Sequence, residues 1–213
     1  MIRFTKTEVR DLLISFIVIS LSFAILFTGR NLASAIYILP IAMVGVGAGF
    51  ILHELGHKFA SIHFGYWAEY KLWPAGLVIA LVSSFFGFVF AAPGAVYTYG
   101  NFVSERENGI ISISGPIVNI ILALIFLGVA VFIYPAAFYS GSLQIAFLVC
   151  SLGFSINSYL AVFNLIPVWN LDGSKVLRWN GLIWVITIAI AGIMTYFSMT
   201  IGVENIVRAI IGL

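Results

Sequence analysis

His53-Glu54-Leu55-Gly56-His57 lies within one of the most apolar stretches of a very apolar chain. On a helix, residues four apart are rotated by about 400°, so both imidazoles leave one face about a turn apart, as two ligands of a tetrahedral zinc ion require. Glu54 sits beside them, where a carboxylate can take a proton from a water activated by the metal. The motif is short and arises by chance in many soluble helices. Its surroundings weigh against chance here, because each ionisable side chain at bilayer depth costs of order a few kcal/mol and persists with a partner or a task.

The chain of 213 residues is 62% hydrophobic and 8% charged, against about 25% charged in soluble proteins. So little polar surface cannot cover a soluble domain of this size, and the sequence describes a polytopic membrane protein. A formal charge of +2 gives no reason to expect a nucleic-acid partner. A single cysteine, Cys150, leaves no internal disulfide and no multi-cysteine metal cluster, and reads as a packing residue. Arg3, Lys6 and Arg10 precede the first apolar run, which has no evident small-residue cleavage site and is expected to stay as an anchor.

Residues 12 to 28 are long enough for a first span, bounded by Asp11 and Arg30. A second segment from Leu32 to His63 exceeds one perpendicular crossing and contains Pro40, then Gly45, Gly47 and Gly49, then the motif in its last third. The alternate glycines permit close approach of another helix. Residues 110 to 133, 143 to 166 and 181 to 200 are three further spans, and a short tail closes the chain. Between residues 64 and 100 the pattern differs. The run from Gly76 to Ala92 could span, but Ser83, Ser84 and Gly87 interrupt it and its β-branched and aromatic content suits extended structure.

A catalytic zinc site generally takes three protein ligands. The strongest candidate for the third is Asp172, which follows Pro167 and precedes Gly173 at an expected helix break; an ordinary turn aspartate is the alternative. Glu69, Glu105 and Glu107 lie beside loop charges and look solvated, and His63 falls on a different helical face from His57. Topology offers an independent check. If residues 76 to 92 span, the motif and Asp172 end on opposite faces. If that segment dips in and returns, they meet, and Arg3, Lys6, Arg10, Lys58, Lys71, Arg106, Lys175 and Arg178 share one side against Arg30 and Arg208. The second arrangement obeys the positive-inside rule better and sets the N-terminus and the site towards the cytoplasm, with the cell membrane as the expected location. The expected fold is all-α, with about five to six transmembrane helices and one membrane-associated β-like or re-entrant segment around residues 64–100.

Together these motifs resemble the site-2 protease family of intramembrane zinc metalloproteases. The resemblance rests on His53-Glu54-Leu55-Gly56-His57, on Ser114-Gly115-Pro116-Ile117-Val118-Asn119, and on Asn164-Leu165-Ile166-Pro167 followed by Leu171-Asp172-Gly173. It covers a catalytic core of about residues 32–180 within a single domain of 1–213. Trp169 stands where many members have a second proline, and no inserted peptide-binding module is evident. The resemblance implies His53, His57 and Asp172 as ligands of one Zn²⁺ per chain, Glu54 as general base, and transmembrane segments of other proteins as substrates in the lipid bilayer. Asn119 and Asn164 are candidates to bind substrate backbone or an oxyanion, since an amide in an apolar helix needs a partner; a bond to a neighbouring helix would serve equally. Two rival readings are a non-catalytic binder of transmembrane helices, which has no need of Glu54, and a metal transporter, for which polar residues should line a path across several spans. Lys58 and the polar stretch Asn170 to Asn180 suggest an opening for water on the cytoplasmic side.

Overall fold

The computed structural model describes residues 3–100 and 102–212. Among them, five helices are long and apolar enough to cross a bilayer: Lys6–Phe27 (α1), the rod Leu32–His63, Glu105–Ala137 (α5), Gly141–Leu165 (α6) and Gly181–Thr200 (α8). The rod comprises α2 (Leu32–Val46), a π-turn (Gly47–Ile51) and α3 (Leu52–His63). Strands β1 (Trp67–Leu72) and β2 (Gly94–Tyr99) follow it and pair antiparallel, with a short helix α4 (Pro74–Ser84) between them. Helices α7 (Asp172–Trp179) and α9 (Val203–Ile211) are short. The protein is an all-α polytopic membrane protein carrying one two-stranded sheet.

Of the β-like and re-entrant readings of residues 64–100, the re-entrant one holds over Gly76 to Ala92. Pro74 opens a helix of 11 residues there, about 16 Å long and so roughly half the hydrocarbon thickness. Gly87, at φ +93°, then turns the chain back. The hydroxyl of Ser83 accepts the Phe90 N–H at 2.8 Å, tying the return arm to the helix. Extended backbone forms instead on either side of this excursion, in β1 and β2. Because α4 does not cross, only α5 and α6 separate α3 from α7, and the two ends meet.

α1 begins earlier than the apolar run suggested, with Thr5 as N-cap accepting the Glu8 N–H. Its first turns bury two carboxylates against β1. Glu8 accepts the Tyr70 N–H at 3.1 Å, and Asp11 the Leu72 N–H at 3.3 Å. The Tyr70 hydroxyl donates to Ser15 at 2.8 Å. Lys58 does not border an opening, contrary to expectation. It is 1% exposed and its ammonium lies 2.6 Å from Glu8, under the Phe4 ring. The long stem of a lysine near a helix end can follow apolar surface, and here the head finds an anion instead of water.

The glycines of the rod serve close approach to α6. A Cβ at Gly45 would stand 3.2 Å from the Gly153 Cα, and one at Gly49 2.9 Å from the Asn157 side chain. Phe23, Phe50, Tyr70, Val89, Ile156 and Phe163 form the core where α1, the rod, the sheet and α6 converge. The expected tail is a helix: α9 buries Val203 and Val207 in a second core with Tyr134 and Phe154, and Arg208 donates to the Tyr134 hydroxyl at 2.6 Å. Leu124, Phe132, Leu182 and Ile193 point outward from α5 and α8, as lipid-facing residues do.

Replacing Glu8 by Ala strands the Lys58 charge and is expected to cost about 3–5 kcal/mol. The double variant Glu8→Leu/Lys58→Met should recover most of that loss in equilibrium unfolding of the detergent-solubilised protein.

Candidate metal centre

α3 presents His53 and His57 to α5 and Glu54 to the cleft beside β2, and all three are buried. Gly56 lets the helices close, since a Cβ there would lie 3.2 Å from the Ser114 carbonyl oxygen. The two Nε2 atoms stand 3.0 Å apart. His53 Nδ1 meets Asn119 Oδ1 at 2.6 Å and His57 Nδ1 meets the Ile111 carbonyl at 2.8 Å. Each Nδ1 therefore carries the hydrogen, and each Nε2 presents a lone pair. Pro116 has no N–H to donate to the preceding turn, the same turn whose Ile111 carbonyl receives His57.

Asp172 comes from the other end of the chain. It is the first residue of α7, and its Oδ2 lies 3.1 Å from His57 Nε2 and 3.4 Å from His53 Nε2. Gly173 is required for a reason the sequence did not suggest: a Cβ there would stand 2.0 Å from the Leu165 carbonyl oxygen, so only glycine lets α7 start against the end of α6. The change of direction falls at Trp169 instead, at φ +49°, a left-handed conformation in a bulky residue. Its indole meets Trp73 edge-on at 5.2 Å across the mouth of the site. Lys175, one turn along α7, lies 3.9 Å from Asp172 Oδ1.

These donors suit a metal ion. Ligands about 2.0–2.1 Å from a tetrahedral ion stand roughly 3.3–3.4 Å from each other, and the three pairs here are close to that. Two facing imidazole lone pairs also repel unless a cation lies between them. Beneath them, a Cβ at Gly115 would sit 2.5 Å from His57 Nε2 and 2.7 Å from His53 Nε2, so glycine leaves the space open. Among the described residues, His53, His57 and Asp172 form the one group of such side chains that could hold a metal.

A cleft of about 570 Å³ leads to the centre, bordered by Glu54, Trp73, Val96, Asn164, Trp169 and Lys175 among others. Glu54 Oε2 is buried without a hydrogen-bond partner. Asn164 lies at the cleft, its amide donating to the Leu160 carbonyl at 2.9 Å. Asn119 does not reach the cleft. It is fully buried and spends its amide on His53, Gly49 and Asn157. Glu69 bonds Thr5, Glu107 caps α5, and neither approaches the centre. The sequence reading passed over Lys175, which its place one helical turn after Asp172 could have flagged, and the Ile111 carbonyl, which leaves no trace in residue identity.

Side chains that could hold a metal, enclosed by apolar spans, mark the protein as a membrane protein with a candidate metal centre. A provisionally named zinc metalloprotease of Methanocaldococcus jannaschii, MJ0611, is 39% identical over 196 residues, covering 91% of this chain and 96% of its own. Rip2 of Mycolicibacterium smegmatis, also provisionally named a zinc metalloprotease, is 32% identical over 63% of this chain and 58% of its own. YwhC of Bacillus subtilis, of the same provisional name, is 31% identical over 70% of this chain and 73% of its own. No family model matches, and no solved structure matches. The chain belongs to the site-2 protease-like family of zinc metalloproteases.

Asp172→Ala and Gly115→Ala should each purify with far less zinc than wild type in elemental analysis, the first for want of a ligand, the second because its methyl group displaces the imidazoles. Wild-type zinc content in Asp172→Ala would mean that another carboxylate completes the centre.

Proposed function

We propose that this protein is an intramembrane zinc endopeptidase that cuts within or near transmembrane segments of other membrane proteins, as in regulated intramembrane proteolysis. The observation that carries this reading is Glu54 Oε2, a buried acceptor left unpaired beside the metal ligands and facing a cleft. An unpaired buried carboxylate oxygen is costly, and a water or substrate group that comes to meet it removes that cost. His53, His57 and Asp172 would hold one Zn²⁺. When bound, the ion supplies Lewis acidity, polarising a carbonyl and making water easier to deprotonate. Glu54 takes up the proton of the attacking water and returns it to the leaving amine. Lys175 offers positive charge to the oxygen on which negative charge develops, and Asn164 offers its amide oxygen to a substrate N–H.

A substrate helix hides its carbonyls in its own hydrogen bonds and must unwind before attack. β2 is suited to receive the unwound segment. Tyr70 and Leu72 send their N–H groups away from β2 to Glu8 and Asp11, so their partners Val96 and Gly94 turn theirs away from β1. That edge borders the cleft, with the Val96 N–H facing the Glu54 carboxylate, and an extended peptide can add along it as a third strand. The basic residues support a multi-pass protein of the cell membrane with its N-terminus and active site towards the cytoplasm.

Glu54→Gln should lower cleavage of a model transmembrane substrate by about a hundredfold or more while zinc stays bound. Unchanged cleavage would remove Glu54 from the role of base, whereas a wild type that cleaves nothing, with helix capture or metal transport surviving Glu54→Gln, would sink the protease reading. Val96→Pro, which deletes an edge N–H that also faces the Glu54 carboxylate, should slow cleavage with zinc content retained.

A further inference from the structure

Three glycine carbonyls and two asparagines form a directed chain of hydrogen bonds behind the metal centre. Asn157 is fully buried in α6. Its Nδ2 donates to the carbonyls of Gly153 at 2.8 Å and Gly45 at 3.4 Å. Its Oδ1 is thereby turned to accept from Asn119 Nδ2 at 3.0 Å, and Asn119 donates also to the Gly49 carbonyl at 3.0 Å. Asn119 Oδ1 is then left to face His53 Nδ1 at 2.6 Å. Gly45 and Gly49 flank or lie in the π-turn Gly47–Ile51, where the wider winding loosens the helical ladder, and such turns recur at functional sites.

A carbonyl can only accept, and that fixes the sense of every bond in the series. An asparagine amide has an oxygen on one side and two N–H groups on the other, so on its own it can present either. Were Asn119 reversed, its NH₂ would oppose the His53 Nδ1–H. His53 would then carry its proton on Nε2, the atom that must offer a lone pair to a metal.

We infer that Asn157 is a positioning residue, which, by orienting the Asn119 amide against the backbone of the π-turn, holds the His53 proton on Nδ1 and readies Nε2 for zinc. The inference rests on the metal-site reading but not on the protease one. Outer partners of metal-bound histidines commonly act in this manner. The glycines are part of the arrangement, because a side chain at Gly49 would occupy the place of the Asn157 amide.

The test uses full-length protein in detergent with ring-¹⁵N histidine, and only three histidines need assigning. Metal-free wild type should show His53 protonated at Nδ1. In Asn157→Leu the proton should spread to Nε2, and zinc affinity, measured by competition with a chromophoric chelator, should fall about ten- to a hundredfold. Asn157→Asp, neutral in this apolar setting, can still accept from Asn119 and donate to one carbonyl, and should stay within about threefold of wild type. A wild-type His53 lacking the Nδ1 proton overturns the inference, as does Asn157→Leu with wild-type tautomer and affinity. If Asn157→Leu does not fold, wild type and Asn157→Asp still decide, since an Asp variant tenfold weaker for zinc contradicts the relay. Absence of cleavage would leave these readouts standing, so the two readings fall separately.

Discussion

Two imidazole nitrogens that point lone pairs at each other across 3.0 Å in the interior of apolar helices are a source of repulsion until a cation joins them. Much of the molecule serves to keep them there. The Ile111 carbonyl and Asn119 hold the two rings from behind, Gly56 and Gly115 bring α5 close enough to do so, and Asp172 supplies the negative charge that favours a cation. In water, such side chains would relax into solvent. Surrounded by protein and lipid they have no alternative partners, so the backbone must be arranged around them.

The same scarcity of water explains the position of the remaining charges. Glu8 neutralises Lys58 and takes an N–H from the edge of β1, so one carboxylate satisfies both an ammonium and a strand. With Asp11 it seals that edge, and the other edge borders the cleft, where the Val96 N–H faces Glu54. A small sheet inside a helical membrane protein is tolerable only where its unpaired groups are covered or have work to do, and the two edges represent those two cases.

The five spans were legible because long apolar runs have few interpretations, and α3 and Asp172 could be paired from the charges alone because crossings alternate sides. What escaped were features set by contact between elements. Residues 76 to 92 have a composition that suits a strand, but Pro74 and the serine hydroxyls favour a helix there and nothing pairs with it. Lys58 looked like a solvated head because its partner Glu8 is distant in sequence. Gly173 suggested a reversal, whereas it is needed for contact with the Leu165 carbonyl and the left-handed residue is Trp169. Of the asparagines, Asn119 and Asn164 were singled out from their apolar surroundings. Asn157 carries the same signal, and only the backbone of the π-turn reveals what it is for.

The half-depth helix α4 makes the protein asymmetric across the bilayer. Its hairpin, with Phe86 and Phe88 exposed near the tip, is about half the length of a span, so it adds cross-section beside the sheet and the cleft and none at the far ends of the spans. A molecule widened at one end of its spans and not at the other has the outline of a wedge, and the broad end is the one that holds the metal-ligand cluster.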